Sequence, residues 1–564
     1  MRTAFEGKEY GFFLHFLNSG DRNAPLAERG QNHPLPPDRW SALVDQFDVK
    51  KLAGQFHELK AGYVFLTVGQ NSGYYCSPNS IYAREVGPEY CSERDLILDF
   101  ADALAEYGID CYAYTTSLAP AYRIQALKNL QSVPPWNCEQ DYSNYKEVEY
   151  LKCNDPRLRY FLDIWSQIHR EWSLHWGTKI KGWWVDGCYY PEKIYDFPDE
   201  PNGASFCRAL RAGNPDSVIA FNPGVIKPRR NYPGSDEDYT AGEINNPEFD
   251  LLDSQYVDDG LRYHILSYLG SFWGRGPMRG TGTDLAMFTR NVVDNGGVVS
   301  WDVPFTVNGI DQDIFAVLKD FASSYQESKT VFPQLSFRVK DPSSGMGSGT
   351  DRDGELELAS SVPFELTVGW NGTSRKVNSP GRIPLPSLGG GEYMLEMERG
   401  GFRRSIPVFC GRKSITISEN TSELFCLNNC SYRLSRSGND FRVQAEIEES
   451  VCKPGSDDSP WEGSGLEIFI ENPDKIFWQY CVRADGRIFQ RFPEIKELSP
   501  AAFEQTSSGY RIDLLFPLPS KETFLLEIRQ HIGVTNGFLV ENLFGGRRSN
   551  YKYRDQYACI TVMP

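Results

Sequence analysis

Residues 179–190 read KIKGWWVDGCYY, and this stretch decides the fold class. Two tryptophans and a valine form an apolar strand that ends on Asp186, and Gly187 follows at once. Because Asp followed by Gly is a common turn starter, one interpretation makes Asp186 the first residue of an ordinary loop. The other places its carboxylate at the mouth of a barrel, where the carboxyl ends of parallel strands surround a pocket.

Strand-like and helix-like segments alternate from the start of the chain to about residue 330. The strand-like runs include YGFFLHFL, YVFLTV, IDCYAYTT, IKGWWVDG, SVIAFNPG and VVSWDVPF. Helical spacing separates them, as in DLILDFADALAEYG, capped by Gly108, and DPRLRYFLDIWSQIHREWSLHWG, with Asp155 and Pro156 as N-cap and N1. The repetition predicts an α/β protein with a (β/α)8 TIM-like barrel over residues 1–330. A doubly wound open sheet is the alternative, but no glycine-rich phosphate loop follows any strand.

Beyond residue 330 the helical spacing disappears. Short alternating segments such as GELELASS and FELTVGW, separated by Gly, Pro and Asn, predict a small β-sandwich over residues 331–411. A third all-β domain is predicted over residues 412–564, where RADGR has the Asp-Gly signal of a tight hairpin. The predicted architecture is therefore a barrel followed by two β-sandwich domains.

Composition excludes some classes of partner and favours another. The net charge of −17 argues against nucleic acid, since phosphate binding needs a basic surface. No window of the sequence reaches the roughly 18 apolar residues of a membrane span, so no membrane association is expected. Aromatic residues make up 13% of the chain, and aromatic faces stack well on sugar rings. The expected partner is thus an oligosaccharide or polysaccharide.

The chain's start and its cysteines leave the compartment open. MRTAFEGKEYGFFLHF lacks the pattern of a signal peptide, so the protein is secreted or periplasmic if such a peptide was removed, and cytoplasmic otherwise. The 13 cysteines form no CxxC pair and no metal-like spacing, so they are interpreted as buried free thiols, with no metal and no cofactor. The oligomeric state does not follow from the sequence.

Polar residues follow the ends of the predicted barrel strands, where catalytic groups of such barrels lie. These candidates are His15, Gln70, Asn71, Tyr114, Asp186, Asn222 and Asp302, with Glu243 in the loop after AFNPG and Trp184, Trp273 and Trp301 beside them. Carboxylates among aromatic walls suit glycoside hydrolysis, in which one acts as nucleophile and another, kept protonated, as acid. Other interpretations stay open: Glu243 as a solvated loop residue, His15 as a core histidine and Asp302 as a cap.

The first 330 residues resemble the catalytic barrel of glycoside hydrolase family 29, the α-L-fucosidases. The segments FFLHFL, FDVKKLAGQFHELKAGYVFLT and NVVDNGGVVSWDVPFTVNG are similar to family segments. WWVDG fits the pattern that ends the family's nucleophile strand. The resemblance implies that Asp186 is the nucleophile and His15 a sugar-binding histidine, and that a β-sandwich follows the barrel.

Two positions depart from the family pattern. Fucosidases usually carry a His-His pair after the second strand, whereas this chain has Gln70 and Asn71, which form hydrogen bonds but do not become cations. The arginine that often follows the fifth strand is missing from FNPG. Because polar contacts decide sugar identity, these changes bear on which sugar is cleaved.

The C-terminal segment DSPWEGSGLEIFIENPDKIFWQYCVRADGRIF resembles the opening half of family 9 carbohydrate-binding modules. Functional members clamp a sugar between two aromatic side chains, and Trp461 and Trp478 are the tryptophans available for this. Packing without sugar binding is the alternative for both residues.

Together these features predict a retaining exo-α-glycosidase that releases a terminal fucose or a related sugar. Asp186 is the expected nucleophile and Glu243 the expected acid/base, while His15, Gln70, Asn71 and Tyr114 hold sugar hydroxyls. The alternatives are a non-catalytic carbohydrate-binding protein on a fucosidase-like scaffold and a glycosidase for a different sugar.

Overall fold

The chain forms two compact units in a computed structural model. Unit 1 comprises residues 1–336, 360–362 and 398–404, and unit 2 comprises residues 337–359, 363–397 and 405–564. The structure describes residues 3–18, 34–121, 123–132, 155–225, 228–245, 256–257, 260–340, 355–370, 373–384, 392–409, 414–419, 422–427, 430–449, 452, 463–492, 496–498, 502–534, 537–543 and 557–563. In that part of the chain, no helix combines the length and apolar character that crossing a bilayer requires.

Unit 1 alternates strands and helices. Its strands are β1 (Tyr10–Leu14), β2 (Tyr63–Thr67), β3 (Asp110–Thr116), β4 (Ile180–Asp186), β5 (Val218–Phe221), β6 (Tyr256–Val257), β7 (Leu261–Arg262), β8 (His264–Tyr268) and β9 (Val298–Asp302). Its helices are α1 (Pro37–Asp45), α2 (Val49–Glu58), α3 (Ser80–Glu85), α4 (Leu96–Ala105), α5 (Ile124–Asn129), α6 (Arg159–Trp176), α7 (Pro191–Ile194), α8 (Gly203–Leu210), α9 (Gly282–Asp294) and α10 (Gln312–Val331).

Seven of these strands form one sheet in the order β5-β4-β3-β2-β1-β9-β8. Every neighbouring pair in it is parallel, as expected for strands joined through helices. Within the described residues, no ladder of paired strands joins β5 to β8. The predicted (β/α)8 barrel is therefore confirmed as a curled parallel sheet with helices, but the eight-stranded closure is not.

The gap between β5 and β8 is occupied by residues 237–244, here called the 237–244 segment. On the β5 side its one backbone hydrogen bond among the described residues runs from Asp238 N to Ile219 O, at 2.9 Å. Two side chains complete that edge, because Ile219 N donates to Asp238 Oδ2 and Phe221 N donates to Glu237 Oε1, each at 2.9 Å. Carboxylate oxygens thus occupy positions that backbone carbonyls take in a regular ladder.

On its other side the 237–244 segment meets β8 and its approach. Isolated parallel bridges pair Tyr239 with Arg262 and Glu243 with Leu266. Ile244 N donates to Leu266 O at 2.9 Å, which fixes the segment beside β8 at the end where the strands finish. The segment thereby brings Glu243 to the same rim as the carboxyl ends of β1–β4.

Side chains inside the curled sheet follow the two-residue alternation of strands. One buried cluster contains Phe5, Phe13, Tyr63, Phe65, Tyr112, Tyr114, Trp184, Val218, Ala220, Tyr239, Leu266 and Val298. The intervening residues point to the helices: Trp183, next to Trp184, donates from Nε1 to Leu210 O at the end of α8. The polar side chains of the site stand above this aromatic filling.

Helix boundaries agree with the sequence in α4 and differ in α6. Gly108, which follows α4, has φ +70°, a left-handed conformation that suits its predicted role as a cap. The prediction that Asp155 is the N-cap of α6 is wrong, because the helix begins at Arg159. Leu158 has φ +50° and interrupts the helix there, while Asp155 accepts hydrogen bonds from the backbone N–H groups of Arg157 and Arg159.

Unit 2 contains only strands among its described elements, and β10 and β16 begin in unit 1. The strands are β10 (Leu335–Lys340), β11 (Glu355–Ser360), β12 (Phe364–Trp370), β13 (Thr373–Ser379), β14 (Gly381–Pro384), β15 (Glu392–Arg399), β16 (Phe402–Phe409), β17 (Ser414–Ile417), β18 (Glu423–Leu427), β19 (Cys430–Ser437), β20 (Asp440–Glu448), β21 (Gly465–Glu471), β22 (Phe477–Arg483), β23 (Ile488–Phe492), β24 (Lys496–Leu498), β25 (Ala502–Gln505), β26 (Gly509–Pro517), β27 (Thr523–Val534), β28 (Gly537–Asn542) and β29 (Ala558–Val562).

These strands form four sheets. Two have the orders β10-β11-β14 and β13-β12-β15-β16, and the other two have β17-β29-β27-β21-β22-β23-β24, with β28 beside β27, and β18-β19-β20-β26-β25. One hydrophobic cluster joins side chains from the last two sheets. The predicted hairpin is confirmed between β22 and β23, where Gly486 has φ +85°. The boundaries 331–411 and 412–564 stay predictions.

Candidate active site

Asp186 ends β4 and accepts three hydrogen bonds. Tyr114 Oη donates to its Oδ2 at 2.5 Å, while Asn222 Nδ2 and Gly187 N donate to its Oδ1 at 2.8 and 2.7 Å. Gly187 has φ +76°, a left-handed conformation that glycine adopts without steric cost, so the chain turns sharply at the end of the strand. The three donors hold a half-buried carboxylate in one orientation at the rim.

Asn222 joins Asp186 to Glu243. Its Nδ2 donates to Asp186 Oδ1 at 2.8 Å and to Glu243 Oε2 at 2.6 Å, so the two oxygens are at most about 5.4 Å apart. The side chain is fully buried, and its Oδ1 accepts from Gly224 N at 3.0 Å, which fixes the direction of the amide. One asparagine therefore sets the spacing of the carboxyl pair.

Glu243 reaches this position through an irregular backbone. Gly242, directly before it, has φ +66°, and a Cβ there would lie 1.8 Å from His264 O. Only glycine fits that approach, because any side chain would collide with the β8 backbone. The solvated loop residue considered from the sequence is thus a half-buried side chain in the pocket wall.

Tyr114 lines the cavity and donates a hydrogen bond to Asp186. Its phenol receives a hydrogen bond from Gln70 Nε2 at 2.5 Å and gives its single proton to Asp186. Burial, together with the charge of Asp186, raises the pKa of Tyr114 well above its ordinary value, so the phenol stays protonated. The contact between Tyr114 and a sugar hydroxyl stays a prediction, and the phenol proton is donated to Asp186.

His15 and Asp302 form a second polar pair at the rim. His15 Nδ1 lies 2.6 Å from Asp302 Oδ1, and Gly274 N donates to Asp302 Oδ2. Asp302 is fully buried and lies behind His15, which lines the cavity. Both Asp302 oxygens contact protein groups and Asp302 is not among the lining residues of the cavity, so its expected contact with substrate stays a prediction.

The three tryptophans expected at the site point in different directions. Trp184 lies inside the sheet, stacked on Tyr114 with ring centroids 5.4 Å apart, and Trp273 lies 5.4 Å from the ring of His15. Trp301 is buried on the opposite side of β9, and its Nε1 donates to Thr289 of α9. Strand alternation turns Trp301 toward the helices, so it is not among the lining residues of the cavity, and its expected role in substrate binding stays a prediction.

The polar rim surrounds a cavity of about 460 Å³. Its lining contains His15, Gln70, Tyr114, Trp184, Asp186, Glu243 and Trp273, as the sequence predicted, and also Tyr189, Phe272, Arg275, Phe305, Thr306 and Asp311. Asn71 and Asn222 are not among the lining residues; Asn71 is half-buried after Gln70. Tyr189 and Phe272 could have been found from the sequence, because they lie close to Asp186 and Trp273 in the chain.

Tyr189 responds electrostatically to the carboxyl pair. The negative charge of Asp186, then burial and the charge of Glu243, raise the pKa of Tyr189 above its ordinary value. The phenol therefore remains a neutral donor beside the two acids.

No cluster of three His, Cys, Asp or Glu side chains in a metal-binding arrangement occurs among the described residues.

The tryptophans proposed for the C-terminal module have different outcomes. Trp461 lies outside the described residues. Trp478, in β22, is half-buried and packs against the hydrophobic cluster shared by the two sheets. Its position favours the packing alternative for Trp478, and sugar binding by this module stays a prediction.

Comparisons with known proteins identify no family. No family model matches the chain, and no curated protein matches it. Among solved structures, α-L-fucosidase AlfC from Lactobacillus casei, in complex with α-L-fucose product, is 14% identical, with 58% of this chain and 98% of that chain covered and a TM-score of 0.40. The endo-fucoidan hydrolases MfFcnA9 and MfFcnA4, from glycoside hydrolase family 107, are also similar.

MfFcnA9 is 13% identical, with 96% of this chain and 98% of that chain covered and a TM-score of 0.42. MfFcnA4 is 12% identical, with 98% of this chain and 82% of that chain covered and a TM-score of 0.41. TM-scores near 0.4 are too low to transfer an activity. The function must therefore be argued from the carboxyl pair and its surroundings.

Proposed function

We propose that the protein is a retaining glycosidase in which Asp186 is the nucleophile and Glu243 the acid/base. The observation that carries this proposal is the shared hydrogen-bond donor, Asn222 Nδ2, which keeps the two carboxyl oxygens within about 5.4 Å. Retaining glycosidases have carboxyl groups about 5–5.5 Å apart, whereas inverting enzymes need roughly 6.5–9.5 Å to admit a water.

In the first step an Asp186 oxygen forms a bond to the anomeric carbon. The glycosidic bond breaks, its electron pair goes to the leaving oxygen, and that oxygen takes the proton of Glu243. Oδ2 of Asp186 accepts one hydrogen bond and Oδ1 accepts two, so Oδ2 keeps a lone pair for attack. Tyr114 holds that oxygen in place through its hydrogen bond.

In the second step a water replaces the leaving group. Glu243, now ionised, takes a proton from the water as its oxygen bonds to the anomeric carbon. The bond between Asp186 and the sugar breaks, and its electron pair returns to the carboxylate. The sugar leaves with its original anomeric configuration.

The substrate is a terminal sugar of an oligosaccharide or polysaccharide, and α-L-fucose is the first to test because of the sequence resemblance. Gln70 and Asn71 take the place of the family's His-His pair. Gln70 Nε2 donates to Tyr114, and the amide of Gln70 lines the cavity, where it can form hydrogen bonds with a sugar hydroxyl. His15, oriented by Asp302, supplies a further polar contact.

A panel of aryl α-glycosides tests the reaction directly. A 2-deoxy-2-fluoro glycoside with a good leaving group should leave a sugar on the Asp186 peptide, detected by mass spectrometry. Asp186→Asn should abolish both turnover and labelling, while Asp163→Asn, an exposed change in α6, should alter neither. Labelling of another carboxylate would remove Asp186 from the nucleophile role.

Glu243 is tested through the leaving group. Glu243→Gln should lower kcat/KM by about 10²–10⁴-fold for glycosides with a poor leaving group. The loss should be much smaller for nitrophenyl glycosides, because nitrophenolate departs without a proton. Equal losses on both substrates would show that Glu243 does not protonate the leaving oxygen. Sugar binding without any turnover would instead favour a non-catalytic carbohydrate-binding protein.

A further inference from the structure

A tight turn at the cavity, residues 272–275, presents two side chains that the proposed chemistry does not use. Phe272 N donates to Arg275 O at 3.3 Å, and Arg275 N donates to Phe272 O at 3.2 Å. Gly274 has φ +65°, which closes the turn without steric cost. The backbone of the 272–275 turn is therefore well defined, although it lies on the surface.

The 272–275 turn is tied to the polar rim of the site. Gly274 N donates to Asp302, the carboxylate that also holds His15. Trp273 lies against His15 and against Tyr268, with ring centroids 5.4 and 4.9 Å apart. The turn therefore contacts the polar rim through Trp273 and Gly274. Its other two residues, Phe272 and Arg275, also line the cavity.

Phe272 and Arg275 form a stacked pair that is open to solvent. Phe272 is 50% exposed, and the guanidinium of Arg275 lies 5.0 Å from its ring centroid. Within the described residues, Arg275 has no carboxylate partner. It is also the one described lining residue with a permanent positive charge, and the carboxyl groups of Asp186, Glu243 and Asp311 lie in the same lining.

We propose that the 272–275 turn is a subsite for the sugar next to the one cleaved, and that Arg275 binds an anionic group on that sugar. The inference rests on the proposed function. A guanidinium forms paired hydrogen bonds with planar or tetrahedral oxyanions, and an aromatic face stacks on a sugar ring. The ligand class is therefore a glycan with a sulfate ester or a carboxylate on the unit beside the scissile bond.

The size of the cavity supports this assignment, and Arg275 counters the negative charge around it. Cavities of about 300–1,000 Å³ enclose ligands larger than a monosaccharide, and this one measures about 460 Å³. An anionic glycan approaching a chain of net charge −17 is repelled, and the carboxyl pair adds to that repulsion. Arg275, which has no carboxylate partner among the described residues, offsets the repulsion locally and favours the charged unit over a neutral one.

The test compares four substrates with the same cleaved sugar: an aryl glycoside, a neutral disaccharide, its sulfated form and its uronate form. The wild type should show a higher kcat/KM for an anionic disaccharide than for the neutral one. Arg275→Ala should lower kcat/KM for the anionic disaccharide by roughly ten- to hundredfold more than for the neutral one, mainly through KM. Preference for either anion supports the proposal and identifies the group.

Two further variants separate charge from stacking. Phe272→Ala should lower kcat/KM for all three disaccharides relative to the aryl glycoside, because the ring contacts the second sugar whatever its charge. Arg84→Ala, which removes an exposed arginine paired with Glu85, should leave the ranking of the substrates as in the wild type. Equal losses on neutral and anionic disaccharides in Arg275→Ala would overturn the anionic assignment.

The subsite can also be tested by a binding measurement that does not depend on the proposed catalytic function. If no glycoside is cleaved, calorimetry of the sulfated and uronate disaccharides with wild type and Arg275→Ala still measures the subsite. Binding that is weakened by Arg275→Ala and by added salt supports it, since screening reduces exposed charge interactions. Binding of neither disaccharide to the wild type would overturn it.

Discussion

A tyrosine hydroxyl, an asparagine amide and a backbone N–H donate the hydrogen bonds that Asp186 accepts from the described residues. The amide also reaches Glu243, so it acts on both members of the carboxyl pair. The phenol acts on Asp186 alone, and Gln70 holds the phenol in turn. Tyr114 therefore contributes to the orientation of Asp186, whereas Asn222 sets the distance between the two carboxyl groups.

Tyr114→Phe tests this role. Removing the hydroxyl should lower kcat/KM by roughly ten- to hundredfold, because a hydrogen bond to a charged group contributes about 1.5–3 kcal/mol. The loss should appear mainly in kcat, since the hydrogen bond orients the nucleophile. Tyr10→Phe, which removes a buried hydroxyl bonded to Leu59 O away from the site, is the control. Wild-type kinetics in Tyr114→Phe would exclude the role.

Strand ends explain which site residues the sequence could predict. His15, Tyr114 and Asp186 follow or end apolar runs, so their place at one rim follows from the fold class. Trp301 and Asp302 are adjacent in β9, yet local sequence does not indicate which of the two side chains points inward. The direction depends on the register of β9 beside β1, where Phe12 pairs with Trp301, and register is a long-range property.

At the scale of elements, the 237–244 segment joins β5 to β8 with few backbone hydrogen bonds. The sequence SDEDYTAGE has the composition of a solvated loop, so neither its position nor its buried acids could be predicted from local pattern. Glu237 accepts from Phe221 N and Asn231 N at 2.9 and 2.8 Å, and also from Ser235 Oγ. Since Phe221 precedes Asn222, this carboxyl fixes the backbone behind the carboxyl pair.

Glu237 should make stability depend on pH. Burial raises its pKa from 4.5 to about 7, although the three donors oppose the shift. A raised pKa in the folded state means that its stabilisation is complete below about pH 4.5 and is lost as pH rises through about 7. The shift corresponds to a change of about 3 kcal/mol in the free energy of unfolding.

Unfolding of Glu237→Gln at pH 5–8 checks that expectation. The variant is neutral at every pH, so its free energy of unfolding should fall less steeply over this range than that of the wild type. Glu200→Gln, an exposed change beside Arg208, should follow the wild-type curve. Parallel curves for Glu237→Gln and wild type would mean that Glu237 does not titrate in this range.

For the whole molecule, unit 1 is discontinuous in sequence. Residues 398–404 belong to it, although the chain on both sides belongs to unit 2. Arg404 is fully buried and donates to Asp294 Oδ2 at 2.9 Å and to Asn291 Oδ1 at 2.7 Å, both on α9. Local patterns predicted a change of domain near residue 330 but could not show this return, because it depends on contacts more than 100 residues apart.

Arg404→Met tests whether this return stabilises unit 1. Asp294 keeps its pair with Arg290, but Asn291 Oδ1 loses a partner, so the free energy of unfolding should fall by about 1–3 kcal/mol. Tryptophan fluorescence is a suitable probe, because nine of the twelve tryptophans precede residue 330. Arg403→Met removes the same charge from an exposed neighbour and should leave the transition close to that of the wild type. A fluorescence transition of Arg404→Met that coincides with that of Arg403→Met would show that unit 1 does not depend on residues 398–404 for its stability.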